Sequence, residues 1–131
     1  MLHLLAVGMG GFLGSCLRYL ITKWSDGFAM PFPLGTLLSN VIAGLFIGFI
    51  IGLKQNSVRI SGNTQLFLTT GLLGGLSTFS TFSLETIELF KAEKYLLSIG
   101  NIVSNLGLSL CGVVLGFLAA KLLAALWSPP V

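Results

Sequence analysis

The sequence predicts an all-α membrane protein with four transmembrane helices, and its composition is the first reason. Of the 131 residues, 54% are hydrophobic and only 8% are charged, whereas soluble domains carry about 25% charged residues. The mean hydropathy is +0.96. A chain this short cannot hide so much apolar surface inside its own fold, because small domains have a large surface-to-volume ratio. We therefore expect one domain, residues 1–131, surrounded by lipid.

Four apolar segments are the second reason, since a helix needs about 20 such residues to cross a bilayer. They cover approximately residues 2–21, 34–53, 64–90 and 95–126. Pro31 and Pro33 precede the second segment and suit the start of a helix. The connections between segments are short, so the sequence leaves no room for a separate soluble domain.

Glycines at a spacing of four residues mark the faces on which three of these helices pack. The first segment has Gly10 and Gly14, and the fourth has Gly112 and Gly116. The second segment carries Gly44, Gly48 and Gly52. Each set lies on one helix face, and such smooth strips let membrane helices approach closely.

The third segment is the least regular, and we expect it to break. Three glycines at positions 71, 74 and 75 are followed by five Ser or Thr residues among the seven positions 77–83. Glycine weakens a helix, and hydroxyl groups compete for its backbone hydrogen bonds. A break near Gly74–Thr78 would have to be buried in protein or line a wet cavity. Carbonyls freed there could bind a cation, and freed N–H groups an anion.

Polar stripes follow two other segments at helical spacing. Thr36 and Asn40 lie one turn apart on the second segment, and Asn101, Asn105 and Ser109 do so on the fourth. A single such residue is often interhelical glue, but the stripes together favour a hydrated pathway. Hydroxyl and amide groups donate hydrogen bonds to an anion without carrying a full charge. Phe79 and Phe82 share a face among these hydroxyls, and aromatic ring edges are electropositive.

The basic residues give the chain almost no preferred orientation. One side of the membrane would receive Lys54, Arg59 and Lys121, and the other Arg18, Lys23, Lys91 and Lys94. With three against four, the positive-inside rule predicts insertion both ways up, unless the near-tie is an accident of few charges. Two opposed copies would then form an antiparallel dimer. The basic residues form no cluster that would follow nucleic-acid phosphates.

Two cysteines lie inside apolar segments, and the sequence offers no arrangement typical of an enzyme. We interpret Cys16 and Cys111 as small packing residues, because buried free cysteine behaves as a small hydrophobe. His3 is the only histidine, and no nucleophile–base pair is evident. We therefore predict that the protein is not an enzyme.

Three stretches carry specific motifs. Residues 71–85 read GLLGGLSTFSTFSLE, residues 10–14 read GGFLG before Arg18 and Tyr19, and residues 35–40 read GTLLSN before Gly44. In this order and at these separations, they resemble the motifs of the CrcB/Fluc family of fluoride ion channels. The resemblance implies a fluoride-selective channel that passively exports cytoplasmic fluoride. It also implies a multi-pass protein of the bacterial inner membrane, acting as a dual-topology antiparallel homodimer with two pores.

The resemblance assigns a role to individual residues. Phe79 and Phe82 would present ring edges to fluoride, and Asn40 would supply an amide donor. A polar track beside the rings would contain Thr36, Ser80, Thr81 and Ser109.

The resemblance also implies a metal ion. A structural Na⁺ would be held by the backbone carbonyls of Gly74 and Ser77, the latter in place of the threonine that the family usually has. Arg18 matches a basic residue near the pore mouth, and Glu85 matches an acidic residue after the motif whose role stays open.

Two other functions remain compatible with four short helices. A small dual-topology exporter of cations or drugs would need a carboxylate inside the first helix, where Arg18 is the only charge of residues 2–21. A non-conducting assembly subunit would tolerate substitution of Phe79 and Phe82.

Overall fold

The computed structural model describes residues 1–56 and 59–127, and its regular structure there is helical throughout. The helices are α1 (Leu2–Asp26), α2 (Leu34–Gln55), α3 (residues 62–76), α4 (Phe79–Lys91) and α5 (Tyr95–Trp127). Three stretches, Leu2–Asp26, Leu34–Gln55 and Tyr95–Leu126, are long and apolar enough to cross a membrane. Together, α3 and α4 fit the third of the four predicted spans, which is broken. The predicted all-α membrane fold is confirmed.

The helices extend beyond the apolar segments from which they were predicted. α1 continues through a polar last turn to Asp26, and α5 reaches Trp127. Apolarity marks the part of a helix that lipid covers, whereas the backbone hydrogen bonds continue into the interface region. The second helix ends at Gln55, and the third span covers residues 62–91.

α3 changes its helical type along its length. It is α-helical over Gly62–Leu66, π-helical over Phe67–Leu73 and α-helical again over Gly74–Leu76. π-helical segments are rare in proteins, and those that do occur are frequently found at functional sites. The wider π turn lies against α1, where glycines from both helices meet. Gly10 of α1 faces the Phe67 carbonyl, and Gly75 of α3 faces the Gly11 carbonyl.

The predicted break between α3 and α4 is confirmed at Ser77 and Thr78. Their backbone angles are extended, with φ −74° and ψ 153° at Ser77 and φ −152° and ψ 123° at Thr78. Leu73 and Leu76, on the α3 side of the break, form a small buried core with Ala43 of α2. The break therefore sits against α2 at the centre of the packed helices.

α2 and α5 pack with their backbones in contact through the glycine strips. Gly48 lies against the Val113 carbonyl of α5, and Gly116 lies against the Leu45 carbonyl of α2. A Cβ atom at either position would overlap that carbonyl oxygen. Close approach maximises dispersion contacts, which drive helix association where lipid removes the hydrophobic driving force. Large apolar side chains elsewhere point outward, as lipid requires: Leu96 is 85% exposed.

The first prediction concerns this close approach. Gly48→Ala should destabilise the protein by about 1–3 kcal/mol, the usual cost of overpacking, because the new methyl group meets backbone that cannot rotate away. Thermal unfolding of the purified protein in detergent measures the effect.

Gly107→Ala is the matched control, since a Cβ there meets nothing within 4 Å. This variant should unfold at the same temperature as the wild type or higher, because alanine favours a helix over glycine by about 1 kcal/mol. Equal destabilisation by both substitutions would contradict the packing argument.

Candidate functional site

Asn40 satisfies both backbone groups of the residue at the break. In a continuous α-helix, the Thr78 N–H would bond the Gly74 carbonyl. Instead it donates to Asn40 Oδ1 at 2.8 Å, and Asn40 Nδ2 donates to the Thr78 carbonyl at 3.2 Å. The side-chain amide thus pairs with the Thr78 peptide groups as a neighbouring strand would. This matters because unpaired backbone groups are costly away from water.

Thr78 in turn caps the start of α4. Its Oγ1 accepts the Thr81 N–H at 3.2 Å, the arrangement of a helix N-cap. The same hydroxyl lies 3.0 Å from Thr81 Oγ1 and 3.2 Å from Ser80 Oγ. The hydroxyl groups of Thr78, Ser80 and Thr81 therefore form a cluster at the N-terminus of α4, where they stabilise the start of that helix.

These two side chains release two backbone carbonyls. The helical donor for Gly74 is the Thr78 N–H, which Asn40 has taken, and the helical donor for Ser77 is the Thr81 N–H, which Thr78 Oγ1 has taken. A cation is favoured at a helix C-terminus, where carbonyl oxygens point outward. Among the described residues, no group of three or more His, Cys, Asp and Glu side chains could hold a metal ion. Neutral carbonyl oxygens are thus the ligands that this region offers.

Arg18 also forms a hydrogen bond at the carboxyl end of α3. Its Nε donates to the Gly75 carbonyl at 3.2 Å, and the side chain is partly buried. The guanidinium thus supplies a donor and a positive charge where the helix dipole is negative. The resemblance put Arg18 near a pore mouth, and the structure places it beside the break.

A cavity of about 350 Å³, here called the break cavity, opens beside Ser77 and Thr78. Its lining comes from α2, the end of α3, the break, α4 and α5, and includes Asn40, Gly74, Phe79, Phe82, Asn105 and Ser109. None of the described lining residues is charged. The cavity therefore offers hydroxyl, amide and carbonyl groups together with aromatic rings.

The two phenylalanines differ in their surroundings. Their ring centroids lie 5.4 Å apart with the planes tilted by 54°. Phe82 is only 7% exposed, whereas Phe79 is 74% exposed. Phe82 is thus fixed in the interior of the chain, and Phe79 projects from the same cavity towards the surface of this single chain.

The hydroxyl and amide donors beside the rings are not equally available. Ser109 Oγ is buried without a hydrogen-bond partner in the part of the chain that the structure describes. Asn40, in contrast, uses its amide hydrogens on the Thr78 carbonyl and on Asn105 Oδ1, 2.9 Å away. Donation from Asn40 to an ion requires one of these bonds to exchange.

Thr36 and Glu85 line a second cavity of about 390 Å³, here called the end cavity. Thr36 Oγ1 donates to Glu85 Oε1 at 2.6 Å, and this bond joins α2 to α4. Glu85 Oε2 is buried and has no partner among the described residues. The end cavity also contains the charged residues Asp26, Glu88 and Lys94. Thr36 lies one helical turn before Asn40, so the two cavities follow each other along α2.

Most of the polar stripe of α5 forms hydrogen bonds that hold the helices together. Asn101 is fully buried and donates to Thr86 Oγ1 at 2.9 Å, and Asn105 donates to Asn101 Oδ1 at 2.8 Å. The hydrated pathway suggested by this stripe is thus wrong for Asn101, which has no access to solvent. Asn105 borders the break cavity with its amide already bonded.

Sequence reasoning gave no role to Thr78 or Thr86, although Thr78 lies in the predicted break.

Comparison with known proteins identifies the family. The sequence model of the family described as CrcB-like protein, Camphor Resistance (CrcB), matches residues 5–117. A relative from Clostridium novyi (strain NT), named fluoride-specific ion channel FluC, is 50% identical over 117 residues, which cover 88% of this chain and 91% of the relative.

Two further relatives carry similar names. FluC from Clostridium perfringens (strain 13 / Type A) is 51% identical over 120 residues, covering 91% of this chain and 94% of the relative. Fluoride-specific ion channel FluC 1 from Methanosarcina acetivorans is 38% identical over 125 residues, covering 95% of each. The family's sequence model matches most of the chain, and these relatives align with it nearly from end to end. The chain therefore belongs to the CrcB family.

Proposed function

We propose that this chain is a fluoride-selective channel through which fluoride leaves the cytoplasm passively, relieving fluoride toxicity. The observation that carries the proposal is 50% identity, over 88% of the chain, to a protein named as a fluoride-specific ion channel. The break cavity supports it, because its neutral donors and ring edges suit a small anion. A channel of this kind binds and passes its ion without chemical change, so the protein is not an enzyme.

The chemistry of the cavity explains how a strongly hydrated anion could pass. Conduction needs binding strong enough to replace water and weak enough to release the ion. A fixed positive charge among the lining residues would hold fluoride too tightly, and none is found among those described. Hydroxyl and amide groups donate individually weaker hydrogen bonds, and ring edges add a partial positive charge.

In this proposal, the site residues act at successive points along the path. Phe79 and Phe82 offer ring edges, and the unpartnered Ser109 hydroxyl is the most available donor. Asn40 contributes when its bond to Asn105 exchanges. The other members of the track are Thr36, one turn before Asn40 on α2, and Ser80 and Thr81, which stand between the two phenylalanines in the first turn of α4. Glu85 holds the Thr36 hydroxyl, and we assign it no direct contact with fluoride.

We propose further that the chain works as an antiparallel homodimer in the bacterial inner membrane. Phe79 is 74% exposed in the single chain although it lines the break cavity. A second copy would cover this ring and complete the cavity wall. The near-balance of basic residues across the membrane supports insertion in both orientations. Such a dimer would contain two pores, each lined by both copies.

A structural Na⁺ is the proposed partner of the released carbonyls. Gly74 and Ser77 would hold it through their backbone oxygens, whose helical donors are bonded to Asn40 and Thr78. Oxygen ligands suit Na⁺, and carbonyl ligands at broken helices coordinate Na⁺ in membrane transporters. The bound ion would supply positive charge at the carboxyl end of α3. Serine in place of the usual threonine does not affect a backbone ligand.

The second prediction tests the aromatic rings. Phe82→Ile and Phe79→Ile should each lower fluoride efflux from liposomes by about tenfold or more, because an aromatic contact of about 1.5 kcal/mol is lost. A fluoride electrode measures the efflux from vesicles that contain only the purified chain.

Phe46→Ile is the control for the rings, since Phe46 is a partly exposed phenylalanine of α2. This variant should conduct like the wild type. Normal efflux in both the Phe79 and Phe82 variants would contradict the role of the rings, and no efflux from the wild type would support a non-conducting assembly subunit. Export of a quaternary ammonium dye instead of fluoride by the wild type would support the exporter.

The third prediction tests the sodium site. The protein should unfold at a higher temperature in Na⁺ than in K⁺ or N-methyl-D-glucamine, with about 2.7 kcal/mol of added stability at 100 times the dissociation constant. Ser77→Ala should keep this difference, because the proposed ligand is a carbonyl. Identical unfolding in all three cations would refute the site.

The fourth prediction tests the orientation of the chain. Arg59→Cys and Lys94→Cys, placed at opposite ends of the helices, should each react with an impermeant maleimide from both sides of the membrane. Cys16→Ser and Cys111→Ser remove the native thiols. Labelling of one variant from the inside only, and of the other from the outside only, would show a single orientation.

A further inference from the structure

One continuous chain of hydrogen bonds joins the interior of α4 to the break that precedes it. It begins at the Phe82 carbonyl, to which Thr86 Oγ1 donates at 2.7 Å. Asn101 Nδ2 donates to Thr86 Oγ1 at 2.9 Å, and Asn105 Nδ2 donates to Asn101 Oδ1 at 2.8 Å.

The same chain ends at the break itself. Asn105 Oδ1 accepts from Asn40 Nδ2 at 2.9 Å, and Asn40 Oδ1 accepts the Thr78 N–H at 2.8 Å. Three members are buried, since Asn101 is 0%, Asn105 4% and Thr86 8% exposed. Asn40 and Thr78 are partly exposed and line the break cavity. Water therefore has little access to the bonds among Thr86, Asn101 and Asn105.

The Phe82 carbonyl at one end and the Thr78 N–H at the other fix the same direction for every bond in this chain. A carbonyl only accepts, so the Thr86 hydroxyl must donate to it and is left to accept from Asn101 Nδ2. Asn101 then presents Oδ1 to Asn105, whose Nδ2 also donates to the Asn101 carbonyl at 3.2 Å. Asn105 must consequently present Oδ1 to Asn40.

The last step reaches the break. With Nδ2 held by Asn105 and by the Thr78 carbonyl, Asn40 presents Oδ1 to the Thr78 N–H. The orientation of the Asn40 amide that the Thr78 peptide groups require is thus also the one that Asn105 imposes, through Asn101 on α5 and Thr86 on α4. If the Asn40 amide were reversed, its Oδ1 would face Asn105 Oδ1, and two acceptors cannot form a hydrogen bond. The Thr78 N–H would then face Asn40 Nδ2 and would lose its acceptor.

We infer that Asn105, Asn101 and Thr86 are positioning residues, which hold the Asn40 amide in the one orientation that keeps the span broken at Thr78. This inference rests on the proposed channel function. The chain also anchors the Phe82 carbonyl at its other end, so it fixes the two ends of the α4 segment that carries Phe79 and Phe82. Loss of one link lets the break and the rings shift relative to α2.

The experiment records single-channel fluoride current in planar bilayers, because a unitary current does not depend on how many molecules fold. Thr86→Val keeps the shape of the side chain but removes the hydroxyl that Asn101 needs. It should lower the unitary current by about tenfold, as expected for one buried hydrogen bond. Thr86→Ser keeps the hydroxyl and should restore a current near that of the wild type.

A double-substitution cycle provides the second measurement. Asn40→Ala and Asn105→Ala should each reduce the current, and the pair together should reduce it no further than Asn40→Ala alone, since Asn105 acts through Asn40. Ser104→Ala is the matched control, because the Ser104 hydroxyl donates to the Gly100 carbonyl of its own helix at 2.6 Å. Its unitary current should equal that of the wild type.

The outcomes separate the inference from the proposed function. A wild type without fluoride current overturns the channel itself. If the wild type conducts, the inference fails on any of three results: a normal unitary current in Thr86→Val, additive losses in the cycle, or loss of folded protein in every network variant. The last result would show a general role in stability in place of positioning.

Discussion

The structure depends on one constraint: a helix broken inside a membrane must find new partners for its freed backbone groups. Neither lipid nor a closed helix can supply them at Ser77 and Thr78, so side chains do. Asn40 bonds both backbone groups of Thr78, and the Thr78 hydroxyl accepts the Thr81 N–H in the first turn of α4. Because these bonds use the donors, the carbonyls of Gly74 and Ser77 are left facing outward. The same bonds that stabilise the break therefore free the carbonyl oxygens that the proposed Na⁺ site uses.

Close packing of glycine-lined helices is what allows this polar centre to be buried. α1 meets α3 through Gly10, Gly14, Gly71 and Gly75, and α2 meets α5 through Gly44, Gly48 and Gly116. At these distances, the short amide side chains of α2 and α5 reach each other directly. Asn40 and Asn105 meet at 2.9 Å, which a wider helix separation would prevent. The glycine strips and the asparagine network therefore depend on each other.

The sequence was sufficient for the architecture and for the place of the break, since both follow from local chemistry. Apolar length identifies the spans, and glycines followed by hydroxyls mark residues 74–78 as a poor helix. It was insufficient where the answer depends on which helix a polar face meets. The spacing of Asn101 and Asn105 predicts a polar face but cannot say whether water or Thr86 lies opposite. The π-helical Phe67–Leu73 and the bond from Arg18 to Gly75 are likewise products of tertiary packing.

The distribution of charge follows from the same constraint. The break cavity has no charged lining residue among those described, whereas Asp26, Glu85, Glu88 and Lys94 line the end cavity. Arg18 and Glu85 each have a neutral partner, Arg18 in the Gly75 carbonyl and Glu85, through Oε1, in the Thr36 hydroxyl. These bonds leave both charges in place but fix where they lie, Arg18 at the carboxyl end of α3 and Glu85 in the end cavity. In the proposed channel, the transient ligands of the ion are therefore the neutral groups that line the break cavity, and these two charged groups lie outside its lining.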